Sequence, residues 1–133
     1  RLSERTKMGQ TRSFSKSVLT AIDEAKILWI RAGIRPRRFR GIWTVVVDGR
    51  VFVRSWNDKP TGWYRAWLDE PRGAIKVGER EVRVRARRTR SERLRAGVDR
   101  AYAAKYVTPA SRQYVKGFSH PRRRATTLEL IPR

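Results

Sequence analysis

Cysteine is absent from the 133-residue sequence, and histidine occurs once, at position 120. The first absence removes disulfides, thiolate nucleophiles and most zinc sites, and leaves the cytoplasm as the default compartment. The second leaves imidazole acid–base catalysis and paired-histidine metal centres without material. Acidic residues number 12 and are scattered; Asp69 and Glu70 are neighbours, but adjacent side chains diverge and make a poor acid–base pair. There is no glycine-rich phosphate loop, no Gly-x-Ser-x-Gly elbow and no Cys-His pair. No apolar run approaches the roughly 18 residues of a membrane span. The opening stretch RLSERTKMGQTRSFSKS is basic but lacks an apolar core, so it does not read as a secretory signal. Hydrolysis or group transfer by protein side chains alone lacks its tools. If the chain is an enzyme, its reactive atoms belong to a bound cofactor.

What is abundant is positive charge. Lysine and arginine number 33 and the net charge is +21, which points to an anionic partner: a nucleic acid, a membrane surface or a multiply charged ligand. Seven of those 33 are lysines, and so heavy an arginine bias also arises from a GC-rich genome. With 39% hydrophobic residues the chain can build a core, and its length suits one domain. We expect a loose basic arm over residues 1–13 and a single domain over 14–133.

From Phe14 the pattern turns helical, with Val18, Ile22, Ala25 and Trp29 on one face, Ser15 or Ser17 placed to cap it, and Gly33 with Pro36 to end it. The basic connector RPRRFR follows at residues 35–40. Residues 42–47 and 51–55 are β-branched and aromatic runs around Asp48-Gly49, the signature of a tight hairpin. WYRAWLDE, residues 63–70, suits a short helix or an irregular strand. Residues 74–77 and 82–86 predict a second hairpin turning near Gly78, with Arg83, Arg85 and Arg87 as an outward stripe, a solvated face in its plainest reading. A second helix runs from Ser91 to before Pro109, docked by Tyr102, Lys105 and Tyr106. A polar connector, with His120 on the surface, leads to a last strand over 125–131. This order favours a small antiparallel barrel with helices outside over a doubly wound parallel sheet.

One segment combines rings and charge. VFVRSWNDKPTGWYRAW, residues 51–67, sets three tryptophans, two arginines and a lysine around a Pro-Thr-Gly turn. Arg54 offers a planar fork suited to a phosphate, Ser55 a hydroxyl donor and Lys59 a compact cation. Trp56, Trp63 and Trp67 offer flat surfaces for stacking, although Trp63 and Trp67, four apart, can equally pack a helix onto the barrel.

The run from Gly41 to Arg87 resembles the split-barrel superfamily of flavin and deazaflavin proteins, which includes pyridoxamine phosphate oxidase-like enzymes and deazaflavin-dependent nitroreductases. The matching features are IWTVVVDGRVFVRS, the loop into GWYRAW, the break at DEPRG, AIKVGEREVRVRAR and the helix start SERLR. More closely, VDGRVFVRS, WYRAW, AYAAKY and TTLELIPR resemble a family of small bacterial proteins of unknown function within that superfamily. The resemblance implies a mainly β, α+β fold: a six-stranded antiparallel split β-barrel with an N-terminal helix and a second helix packed outside. It also implies a homodimer with the cofactor, flavin mononucleotide (FMN) or deazaflavin, at the interface. Carried over, it sets Arg54, Ser55 and Lys59 near a phosphate and Trp56 near the ring, with Arg40 and Trp63 as further candidates. The Ser-Arg-Lys-Gly order usual in flavin enzymes is here Ser-Trp-Asn-Asp-Lys-Pro. Asp58 then needs Lys59 or an arginine to neutralise it beside a phosphate.

Two classes of function follow. One is a flavin- or deazaflavin-binding oxidoreductase, the carboxylate-bearing tail of deazaflavin suiting the arginine excess. The other is a non-enzymatic basic barrel that binds nucleic acid, or a structural homodimer whose cofactor site is lost.

Overall fold

Two residues, Trp43 and Thr44, govern how the sheet curls. The computed structural model describes residues 12–133, so the expected arm lies, but for Arg12 and Ser13, outside the described residues. Helix α1 spans Lys16–Glu24, and strands β1 to β4 span Leu28–Ala32, Arg40–Ile42, Val45–Val47 and Arg50–Val53. Helix α2 is Trp63–Asp69, followed by β5 (Arg72–Val77) and β6 (Arg80–Arg88). Then come α3 (Glu92–Lys105), α4 (Pro109–Phe118), α5 (Pro121–Arg124) and β7 (Leu128–Pro132).

All strand pairs are antiparallel, in the order β2-β1-β5-β6-β7-β4-β3. The two outermost strands are consecutive in the chain. Two residues span at most about 10 Å from Ile42 to Val45, so both edges of the sheet come together and the sheet curls into a half-barrel. The expected strand over 42–47 is thus broken in two. At the break Thr44 gives up ladder bonds for side-chain partners: its N–H donates to the Tyr106 hydroxyl at 3.1 Å, and its carbonyl accepts from Lys105 Nζ at 2.9 Å. Tyr106 in turn donates to the Lys26 carbonyl at 2.7 Å. The end of α3 therefore satisfies the bend, as expected for helix-docking residues.

Seven strands form where six are expected. The helical reading overran at Trp29: α1 stops at Glu24, with Ser15 accepting from the Val18 N–H as its N-cap. Beyond it Leu28, Ile30 and Ala32 are buried while Trp29 is 47% exposed, an alternation that belongs to a strand. The supposed connector before the last strand holds α4 and α5, and the last strand starts at Leu128 rather than Ala125. The hairpin turns stand as read: Asp48, Gly49 and Gly78 all take positive φ.

Two clusters make the core. Inside the curl lie Leu28, Ile30, Val51, Val53, Ile75, Val84, Leu128 and Leu130, capped by Ile22 and Trp67. Outside, Val45 and Phe52 pack under Leu94, Val98, Tyr102 and Tyr106 of α3 and Phe118 of α4. Strand β4 is apolar from Val51 to Val53 because both its faces are covered there. No helix among the described residues is long and apolar enough to cross a membrane.

Across β4, β7 and β6, Glu129 is 3% exposed and accepts two bonds from Arg50, at 2.7 and 2.9 Å, and one from Arg87 at 2.9 Å. Burial alone would raise its carboxyl, but these bonds outweigh it and hold the group below the ordinary 4.5. A depressed carboxyl contributes stability above the unfolded value and loses it as pH falls through the folded one. The urea midpoint of the wild type should therefore fall more steeply below about pH 4.5 than that of Glu129→Gln. Parallel acid limbs would mean that the pair contributes nothing.

Candidate functional site

Strand β4 runs into the loop 54–62, and this loop, β2 and α4 enclose a cleft of about 610 Å³. Arg40, Arg54, Ser55, Trp56, Lys59 and Trp63 all line it, with Ile42, Trp43, Thr61, Tyr114 and Phe118 among the remaining walls. One cleft thus gathers all six candidates named from the sequence. Their chemistry divides them.

Arg54 faces inward. Its side chain is fully buried: Nε donates to Thr127 Oγ1 at 2.8 Å, one terminal nitrogen to Asp99 and the Phe118 carbonyl, the other to the Arg95 carbonyl at 3.0 Å. Four of five N–H donors are engaged within the protein. Burial pushes the guanidinium below its ordinary value, opposed by the Asp99 carboxylate. Asp99 also accepts from Arg124 at 2.9 Å, and Arg124 pairs with Glu92. Arg54 therefore lacks the free fork expected for a phosphate and instead ties β4 to α3, α4 and the approach to β7. Ser55 likewise turns its hydroxyl to the Asn57 carbonyl, while its N–H donates to Thr126 at 2.9 Å.

Lys59 and Arg40 are different. Both are exposed, and neither side chain has an ion-pair or hydrogen-bond partner among the described residues. Asp58 is neutralised by Arg65, at 2.6 Å, rather than by Lys59. Among the described residues the lysine is thus left as an exposed, unpaired cation in the cleft wall.

The rings form the opposite wall. Trp56 is 40% exposed and meets Tyr114 and Phe118 edge-on, at 5.3 and 5.4 Å. The Arg123 guanidinium covers its other aspect at 3.6 Å and donates to its carbonyl at 2.8 Å. Trp63 packs edge-on against buried Trp67, as a helix-packing pair does, and Trp63 alone of the two borders the cleft. Trp43 stacks on Tyr106 at 3.9 Å. Tyr114 and Phe118 escaped the sequence reading because α4 was taken for connector. Its signal was present: Thr108 caps it, Pro109 opens it, and Tyr114, Val115 and Phe118 share a face. His120 is exposed and accepts from the Arg122 N–H, a capping role. Among the described residues, no group of three His, Cys, Asp or Glu side chains is placed to hold a metal.

The comparisons with known proteins fit this architecture. A family model described as an uncharacterized protein conserved in bacteria (DUF2255) matches residues 17–130. A conserved hypothetical protein of Mycobacterium tuberculosis is similar in structure, with TM-score 0.58 and 11% identity over 91% of this chain and 81% of that one. A Listeria innocua protein assigned as a pyridoxamine 5'-phosphate oxidase gives 0.54 and 12%, over 88% and 90%. A FAD-binding protein of Mesorhizobium loti gives 0.51 and 13%, over 92% and 91%. These likenesses concern the fold. No curated protein matches the chain.

Two substitutions test the geometry. Arg54→Met should destabilise the fold by about 3 kcal/mol, since it strands Asp99 and the buried Phe118 carbonyl; a urea midpoint unchanged from wild type would refute the tie. A Cβ on Gly117 would stand 2.3 and 2.7 Å from Trp56 ring atoms. Gly117→Ala should therefore unseat the indole, shifting its emission to the red relative to a Trp56→Phe reference. An unshifted spectrum would show that the ring does not rest on this glycine.

Proposed function

This chain belongs to the DUF2255 family of uncharacterized bacterial proteins, and we propose that it is an oxidoreductase-like protein holding a flavin- or deazaflavin-type cofactor in the cleft beside β4. The observation that carries this reading is the composition of the cleft wall. Indole and phenol rings line it beside two exposed cations that have no partner among the described residues, and none of the described residues in its lining carries a carboxylate. A volume of about 610 Å³ is of the size that accommodates a ring-bearing ligand. The fold, shared with a FAD-binding protein and an assigned pyridoxamine 5'-phosphate oxidase, supports the same class.

In this reading Lys59 and Arg40 hold the phosphate, aided by the Thr61 hydroxyl, and Trp56, Trp63 and Tyr114 hold the ring. Arg54 and Ser55 act from behind, fixing the loop and the end of α4 so that the wall keeps its shape. A flavin-type ring, when bound, supplies the hydride or electron chemistry that these side chains lack. The protein binds, orients and excludes water. Asp58, neutralised by Arg65, does not oppose a phosphate at Lys59. The split-barrel form and a homodimer with the cofactor at its interface belong to this proposal.

Fluorescence titration with FMN and with deazaflavin tests it. Saturation near one ligand per subunit is expected, and Lys59→Ala and Arg40→Ala should each lower affinity about tenfold with the urea midpoint unchanged. Undiminished affinity in a folded variant removes that cation from the phosphate site. Binding of neither ligand, with steep salt-dependent binding of single-stranded nucleic acid, would replace the reading by a basic binding module.

A further inference from the structure

We propose that the main cleft continues into a second anion-binding subsite, built by Arg37, Arg38 and Arg40, that takes an anionic tail of the ligand beyond its first phosphate. The proposal rests on the cofactor reading above. A hollow of about 320 Å³ is lined by these three arginines together with Arg31, Thr61 and Trp63. Arg40, Thr61 and Trp63 belong to the walls of both hollows, so the two adjoin around the Trp63 indole. That shared wall sets the second hollow within reach of a ligand seated in the first.

Charge in the second hollow is of one sign. No Asp or Glu lines it. Arg31 is engaged by Glu81 at 3.5 Å and lies over the Phe39 ring. Arg37, Arg38 and Arg40 have no hydrogen-bond or ion-pair partner among the described residues. On its far side Arg37 borders Asp69 and Glu70, but Glu70 is already held by Arg72 through bonds of 2.6 and 3.0 Å. The three cations thus crowd four consecutive positions from Arg37 to the first residue of the edge strand β2, and among the described residues Asp69, on the far side of Arg37, is the one carboxylate beside them that no other side chain holds.

A compact anion relieves that repulsion. The guanidinium fork accepts a carboxylate or a phosphate in paired bonds equally well, so the shared chemistry is one or more such groups following the ring-proximal phosphate. FAD, with a second phosphate, and deazaflavin, with a carboxylate tail, are its two sources.

Each tailed ligand is titrated against its own form truncated at the first phosphate: FAD against FMN, and tailed deazaflavin against its tail-less phosphate. Both pairs are run on the wild type and on the double variant Arg37→Ala/Arg38→Ala, whose exposed side chains carry none of the core. The wild type should bind at least one tailed ligand about tenfold more tightly than its truncated form. The double variant should lose that advantage while holding the truncated ligand to within about twofold. Preference for FAD identifies phosphate as the tail group, and preference for deazaflavin identifies carboxylate. A tail that adds nothing, or a gain that survives the double variant, overturns the subsite and leaves the cofactor reading intact. Absence of binding by all four ligands overturns the cofactor reading and the subsite with it.

Discussion

One buried guanidinium organises the functional end of this molecule. An isolated charge in a protein interior is costly by several kcal/mol, and it persists only where partners surround it. Arg54 has a carboxylate, two carbonyls and a hydroxyl, drawn from α3, α4 and the residues before β7. The Phe118 carbonyl is a helix-terminal acceptor that the helix itself cannot satisfy, so Arg54 completes α4 as well as holding it. Asp99 passes the tie on to Arg124 and Glu92. The ring-lined wall of the cleft, from Trp56 to Tyr114 and Phe118, keeps its shape because this network lies beneath it.

Much of the fold was legible because its signals are local. Asp48-Gly49 and Gly78 mark turns that need positive φ, and the alternation of Val82, Val84 and Ala86 with arginines sets which side of β6 faces inward. Ser91 caps α3 where it was placed. One misreading comes from periodicity overlapping by chance. Trp29 falls on the helical stripe of Val18 and Ile22, yet Leu28, Ile30 and Ala32 carry a competing period of two, and pairing with β2 and β5 decides in favour of the strand. The break at Trp43-Thr44 has no local mark, since its partners are Lys105 and Tyr106, some sixty residues away.

The candidate site was legible as a place but only partly as chemistry. A cluster of tryptophans beside arginines and a lysine named five residues from Arg54 to Trp63, and with Arg40 of β2 they share one cleft. What the sequence could not convey is which cations are free. Arg54 and Lys59 look equally available in a string of letters; one is enclosed by the folding of α3 and α4 over it, and the other is released because Arg65 answers Asp58. The far wall depended on α4, whose contribution becomes visible only once Thr108-Pro109 is read as a helix start.

The bend at Trp43-Thr44 has a bearing on how such a protein can diverge. Arg40, Ile42 and Trp43 line the cleft, whereas Val45 sits in the outer core under α3. Thr44, Lys105 and Tyr106 hold the corner between them, so the shape of the cleft is inherited together with a contact made behind its Trp43 wall. Substitutions at these three positions are not independent, because a change in one strands the polar groups of the others. Drift along the lineage must then proceed by paired replacement, and the corner acts as a ratchet on the site that its Trp43 helps to wall.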